Sequence, residues 1–131
     1  MIDFCIEDTL ILLSSKLLIS NRDIWQIGEL SHKVNDWDYF CNNAIKNGVA
    51  PLIYKTFSLN IDAIKIPENY LLKLEKVYYK SLSRNIIMYE YFRKIISAFN
   101  KKKISVIALK GIFLLFCAKD TQNQNSLVIM S

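Results

Sequence analysis

Lys110-Gly111 is the residue pair in this chain best suited to chemistry. It lies between two apolar runs, Ile104-Ser105-Val106-Ile107-Ala108-Leu109 before it and Ile112-Phe113-Leu114-Leu115 after it. The first run is apolar on both faces, as expected of a strand covered on two sides. The second continues apolar to Ala118 and reads as a buried helix. A strand that turns into a helix through one cation and one glycine can present an ammonium, bare backbone amides and a helix N-terminus to a phosphate. Lys110 and Gly111 are therefore the candidate nucleotide or phosphate-binding residues. The competing reading is that Lys110 is a strand-end cation without a ligand, because so short a pattern also arises by chance.

No other constellation matches this one. Asp36-Trp37-Asp38 has the i, i+2 spacing that puts two carboxylates on one side of a strand. The residues that follow it, Tyr39, Phe40, Ala44 and Ile45, recur at helical spacing instead. Asp36 is then a helix N-cap and Asp38 a first-turn acid that favours the helix dipole. Cys5, Cys41 and Cys117 share no metal-ligand spacing, and His32 is the only histidine. They read as buried free thiols in a reducing compartment. Neither a catalytic residue nor a metal ligand is assigned.

The elements that must hold the Lys-Gly turn are helical. Residues 3 to about 18, with Phe4, Ile6, Leu10, Leu13, Leu17 and Leu18, predict a largely buried helix. Asn21 is positioned to cap a second helix through Val34, with Trp25 over the seam between the two. Asp36 opens a third, which Asn47-Gly48 ends. Pro51 suits the first turn of a fourth helix, which runs to about Phe57. After a connection over 58–66, Pro67 opens the longest element, one long helix or two nearly collinear ones. Leu71, Leu74, Tyr78, Leu82, Ile86, Tyr89, Phe92, Ile96 and Phe99 form its apolar stripe, at a mean spacing of about 3.5 residues. Its aromatic content suits a globular spine better than a coiled coil. Arg84-Asn85 reads as exposed surface near the middle. Lys101-Lys102-Lys103 closes the helix at its negative end, and Leu127-Val128-Ile129-Met130 resembles a second strand.

The chain has 131 residues, 52% hydrophobic and 22% charged, which is globular composition. Its net charge of +5 arises from 17 basic and 12 acidic residues that are mostly scattered. That disfavours nucleic acid as the partner, and the lysine run reads as a solvated turn. The acidic N-terminus argues against a signal peptide. The longest nearly apolar stretch, 104–118, is shorter than the roughly 20 residues of a spanning helix. A soluble, cytoplasmic protein without membrane contact is expected.

Several segments together resemble a family of uncharacterised nucleotidyltransferases with a helical N-terminal region. Asp36-Trp37, Ala44 and Gly48-Val49-Ala50-Pro51-Leu52-Ile53-Tyr54 look like its W…A…hGvaPLLY signature. Ile66-Pro67-Glu68, Tyr78 and Arg84-Asn85 resemble its long helix, and Ile104 to Gly111 its I-x-V-I-x-L-K-G strand and turn. The resemblance implies a mainly α chain: a helical region over 1–100, then at 101–131 the first strand-turn-helix of an incomplete α/β nucleotidyltransferase fold. It also implies transfer of a nucleoside monophosphate from a nucleoside triphosphate to an acceptor, with Mg2+ as cofactor in full-length relatives. In the family an Asp-x-Asp pair follows a segment that Ile129-Met130-Ser131 resembles. Such a pair holds two hard divalent ions about 3.5–4 Å apart.

As given, the chain would be a fragment or the product of a truncated gene. It would hold no cofactor and show no transfer activity, with a nucleoside triphosphate as its candidate ligand. The alternative is a helical protein-interaction module that binds no nucleotide. A sheet of one or two strands exposes pairing edges, so the 104–109 strand is expected either to pair copies of the chain or to be covered by helices.

Overall fold

Gly48 turns the chain between two helices, and its geometry follows from residue type. The computed structural model describes residues 4–105, 107–108 and 128–129. Helix α3 (Trp37–Lys46) ends at Asn47, and Gly48 takes φ +72°. The Gly48 amide donates to the Ile45 carbonyl at 3.1 Å and the Val49 amide to the Ala44 carbonyl at 3.0 Å. This is the Schellman arrangement, which satisfies carbonyls the helix end leaves free. Helix α4 (Ala50–Leu59) begins two residues later with Pro51 in its first turn. As the sequence predicts, Asp36 caps α3, its carboxylate accepting from the Tyr39 amide at 2.8 Å.

The first two helices differ from expectation at their ends. Helix α1 (Ile6–Ser14) stops well short of residue 18. The Ser14 hydroxyl donates to the Leu10 carbonyl and the Ser15 hydroxyl to the Leu12 carbonyl. Such back-bonding competes with helix propagation. Leu17 and Leu18 fall in the following connection, 86% and 89% exposed, and Phe4 is exposed as well. Helix α2 (Asn21–Ser31) is capped by Ser20, one residue before the expected Asn21. Ser20 and Asp23 form a reciprocal capping box, worth about 1 kcal/mol. Trp25 borders a groove between α1 and α2 but is 66% exposed, so it does not seal that seam.

Helix α5 (Glu68–Lys101) has 34 residues and spans about 50 Å. It is one helix, the first of the two forms its periodicity allows. Its stripe is displaced in the middle, however: Leu82 and Ile86 are exposed, while Asn85 is half-buried. Phe99 is exposed at the far end, and Ile96 is buried. The chain divides into two compact units, Met1–Ser81 and Leu82–Ser131.

In the first unit, Leu10, Ile27, Phe40, Cys41, Ala44, Ile53, Phe57 and Leu74 form a buried core. The Phe40 and Phe57 rings stack with centroids 5.9 Å apart, and Trp37 meets Phe40 edge-on at 5.2 Å. Each such pair adds about 0.5–1.5 kcal/mol to the burial term. Polar links tie the helices together: Thr56 donates to the Ser14 carbonyl, and the Ser31 hydroxyl accepts from the Lys65 amide. Among the described residues, no buried side-chain nitrogen or oxygen lacks a partner.

The second unit contains a short parallel pair, β1 (Ile107–Ala108) and β2 (Val128–Ile129), with Ile107 opposite Val128 and Ala108 opposite Ile129. Ile104 and Ser105 precede β1 without strand geometry, so the strand begins later than residue 104. The described structure is mainly α. No described helix is long and apolar enough to cross a membrane.

Two glycines are fixed for different reasons. A Cβ at Gly28 would sit 2.7 Å from the Ala63 carbonyl oxygen, whereas one at Gly48 would meet nothing. Gly28→Ala is expected to cost about 1–3 kcal/mol through overpacking. Gly48→Ala should cost about 1–2 kcal/mol through the left-handed backbone alone. Urea unfolding of both variants checks this, and an unchanged midpoint for Gly28→Ala would contradict the close packing of α2 on residue 63.

Candidate functional site

The approach to the Lys-Gly turn is built by the end of α5. The amides of Lys102, Lys103 and Ile104 donate to the carbonyls of Phe99, Asn100 and Phe99 at 3.0–3.1 Å. Lys103 adopts φ +56°, a left-handed conformation that costs a non-glycine residue about 1–2 kcal/mol. The turn leaves a cavity of about 220 Å³ lined by Asn100, Lys103, Ile104 and Ser105. An ammonium, a carboxamide and a hydroxyl border this space, a donor set that suits an anion's oxygens. In the sequence Lys103 reads only as part of a solvated turn, and the polar Asn-Lys-Lys-Lys run is the one local signal of this cavity.

Lys110 and Gly111 themselves lie outside the described residues, as does Cys117. What is described is the strand leading to them: β1 ends at Ala108, and its partner β2 runs parallel to it. In parallel sheets ligands gather beyond the carboxyl ends of the strands. In chain order, Lys110 follows that end of β1.

The other motif residues are structural. Trp37 stacks on Tyr70 at 6.4 Å, and the Tyr54 ring lies 5.0 Å from that of Tyr78. Ala50 and Ile53 are fully buried. Arg84 is exposed, as its surface reading expects. The W…A…Gly-Val-Ala-Pro pattern thus packs α3 against α4.

Electrostatics point the same way. Glu7 is nearly buried, and its carboxylate accepts from the amides of Asn35 and Asp36 at 3.1 and 3.2 Å. Burial alone pushes its carboxyl up. Backbone amides, including its own and those of Asn35 and Asp36, outweigh this and hold it below the usual carboxylate range. This clamp between α1 and the start of α3 left no periodic signal in the sequence. Asp23 is held at about 2 by the Lys16 ammonium and by Ser20. Cys41 is buried, as expected of it, and burial pushes its thiol up to about 11. Cys5 departs from the buried-thiol reading because it is exposed at the N-cap of α1.

Among the described residues no group of three His, Cys, Asp or Glu side chains could hold a metal ion. Asp36 caps α3 through one carboxylate oxygen and Asp38 follows in the first helical turn, so the two do not stand side by side on a strand.

Residues 33–120 match the family described as uncharacterised nucleotidyltransferase. The chain belongs to that family. The matched range runs from before α3 through the Lys110-Gly111 turn, so it covers both the packing motif and the candidate phosphate turn. No curated protein and no solved structure matches the chain.

Two outcomes follow from the buried groups. Glu7 has a depressed folded pKa, so its stabilisation is present above its unfolded value of about 4.3 and is lost as pH falls through the folded value. Glu7→Gln should therefore cost about 1–3 kcal/mol at pH 7, with the deficit shrinking below about pH 4. Asp23 titrates in both proteins and cancels from the difference. A pH-independent deficit would contradict the clamp. In native protein at pH 8, iodoacetamide should label Cys5 and spare Cys41 until denaturant is added. Peptide mass spectrometry reads this, and rapid labelling of Cys41 would show that α3 opens.

Proposed function

We propose that the chain binds the phosphates of a nucleoside triphosphate at Lys110-Gly111, as part of a fold that in full-length relatives transfers a nucleoside monophosphate to an acceptor. The observation that carries this reading is the family match, which includes the turn. The parallel pairing of β1 with β2 supports it as well. Parallel neighbours need a crossover of a dozen or more residues, usually helical, and residues 109–127 join these two strands. A strand, a Lys-Gly turn, a crossover and a parallel strand are the connectivity of an α/β nucleotide site.

At such a turn Lys110 would supply a point charge, and Gly111 would let backbone amides approach the phosphate oxygens. Transfer requires more: divalent ions must neutralise the charge that develops as pyrophosphate leaves. The one Asp-x-Asp in these 131 residues is Asp36-Trp37-Asp38, which caps α3. The proposal is therefore of binding without turnover. Mg2+ is the divalent ion that such transfer in full-length relatives would use.

A second reading, an interaction module, is favoured by the exposed apolar row on the second half of α5. The two can be separated by titration. ATP should bind the wild type, and Lys110→Ala should weaken it about tenfold or more, since a charge-assisted hydrogen bond contributes about 1.5–3 kcal/mol. Equal affinity of the two proteins would end the phosphate reading. Incubation with Mg2+ and each of the four nucleoside triphosphates should release no pyrophosphate. Sustained release would contradict binding without turnover.

A further inference from the structure

The second half of α5 carries a row of side chains that should not face water together. Met88, Tyr91, Ile95 and Phe99 follow one another at intervals of three, four and four residues, which places them on one helix face. All four are exposed, from 37% for Phe99 to 65% for Tyr91. Isolated exposed apolar residues are ordinary, but a contiguous helical row of them marks an interaction surface.

The charges around the row say what kind of partner fits. Arg84 stands one turn before Met88 and is exposed, and Lys101, Lys102 and Lys103 follow Phe99 and are exposed too. Lys94 holds its ammonium 5.9 Å from the centre of the Tyr91 ring. Among the described residues of 82–105 the only carboxylate is Glu90, and at 100° per residue it falls well off the row. The surface is thus an apolar strip about 16 Å long with cations at both ends.

A second copy of this chain is a poor occupant. Two copies packed antiparallel would set Arg84 of each against the lysine run of the other, and parallel packing would set like against like. Like charges brought together at an interface are strongly unfavourable. An apolar helix with carboxylates at both ends satisfies the strip in either direction.

We propose that the Met88-Tyr91-Ile95-Phe99 face of α5 docks an acidic amphipathic helix of a partner protein, with its apolar side chains on the strip and its terminal carboxylates on Arg84 and the 101–103 lysines. Recognition is of the helix-in-groove kind, with anchors at helical spacing and charge fixing the choice of partner. It uses no residue of the Lys110-Gly111 turn, so it stands or falls separately from nucleotide binding.

The probes are two stapled helical peptides with the same leucine face, one with glutamates at both ends and one with lysines. Fluorescence anisotropy with the full chain at moderate salt should show the glutamate peptide binding about tenfold or more tighter than the lysine peptide. Ile95→Asp should abolish binding with unchanged helicity by circular dichroism. The double variant Arg84→Glu, Lys102→Glu should reverse the preference. That reversal cannot arise from loss of fold. Equal binding of both peptides, or binding of neither, would overturn the proposal. So would a concentration-dependent dimer of the wild type that Ile95→Asp dissolves, which would make a second copy the occupant. Ile95-dependent binding to anionic vesicles in preference to the glutamate peptide would overturn it in favour of a lipid surface.

Discussion

The helical region depends on one backbone constraint, the left-handed residue at Gly48. It ends α3, satisfies the carbonyls of Ala44 and Ile45, and lets α4 begin at Ala50. The stacked pair Phe40 and Phe57 belongs to the two helices that this turn joins, with Trp37 completing the aromatic group against Tyr70. A longer or looser connection would leave the same side chains without a fixed register. Helix α1 attaches to this pair by polar links. Glu7 clamps α1 to the amides at the start of α3, and Thr56 ties α4 to the Ser14 carbonyl.

Where sequence and structure agree, local chemistry decides the outcome. Asp36 as a cap, Gly48 as a left-handed stop and Pro51 in a first turn each follow from the backbone preferences of one residue. Where they part, the deciding contact is not periodic. Serine hydroxyls at 14 and 15 end α1 although Leu17 and Leu18 continue an apolar pattern. Ser20 and Asn21 are equally good caps by type, and the choice between them falls to Asp23, which completes the box with Ser20. On α5 the three successive steps of four from Leu74 to Ile86 carry the traced stripe about 120° round the helix, so it selects exposed Ile86 where Asn85 is the more buried residue. The Glu7 clamp joins residues 28 or more apart in sequence, so no local pattern could announce it.

The candidate site divides between these two kinds of legibility. Its family was readable, because the packing motif and the Lys-Gly turn occur in order within the matched range. The motif's tryptophan, glycine and proline build the α3–α4 corner. Near the end of α5 the described residues hold a cavity at Asn100, Lys103 and Ser105, and beyond it a parallel strand pair. Binding and catalysis therefore make separate demands on the chain. A phosphate cradle needs amides and one cation. Transfer needs a pair of carboxylates free to hold metal, and the pair at 36 and 38 is already committed to a helix end.

The most direct measurement of the central claim is an amide spectrum of nitrogen-15-labelled protein during titration with ATP. The chain has three glycines, at 28, 48 and 111, so the Gly111 resonance can be assigned with confidence by comparison with glycine variants. The account predicts saturable shifts centred on Lys110 and Gly111, no response at Gly28 or Gly48, and loss of the Gly111 shift in Lys110→Ala. Saturable shifts confined to other residues, with Gly111 unmoved, would contradict it.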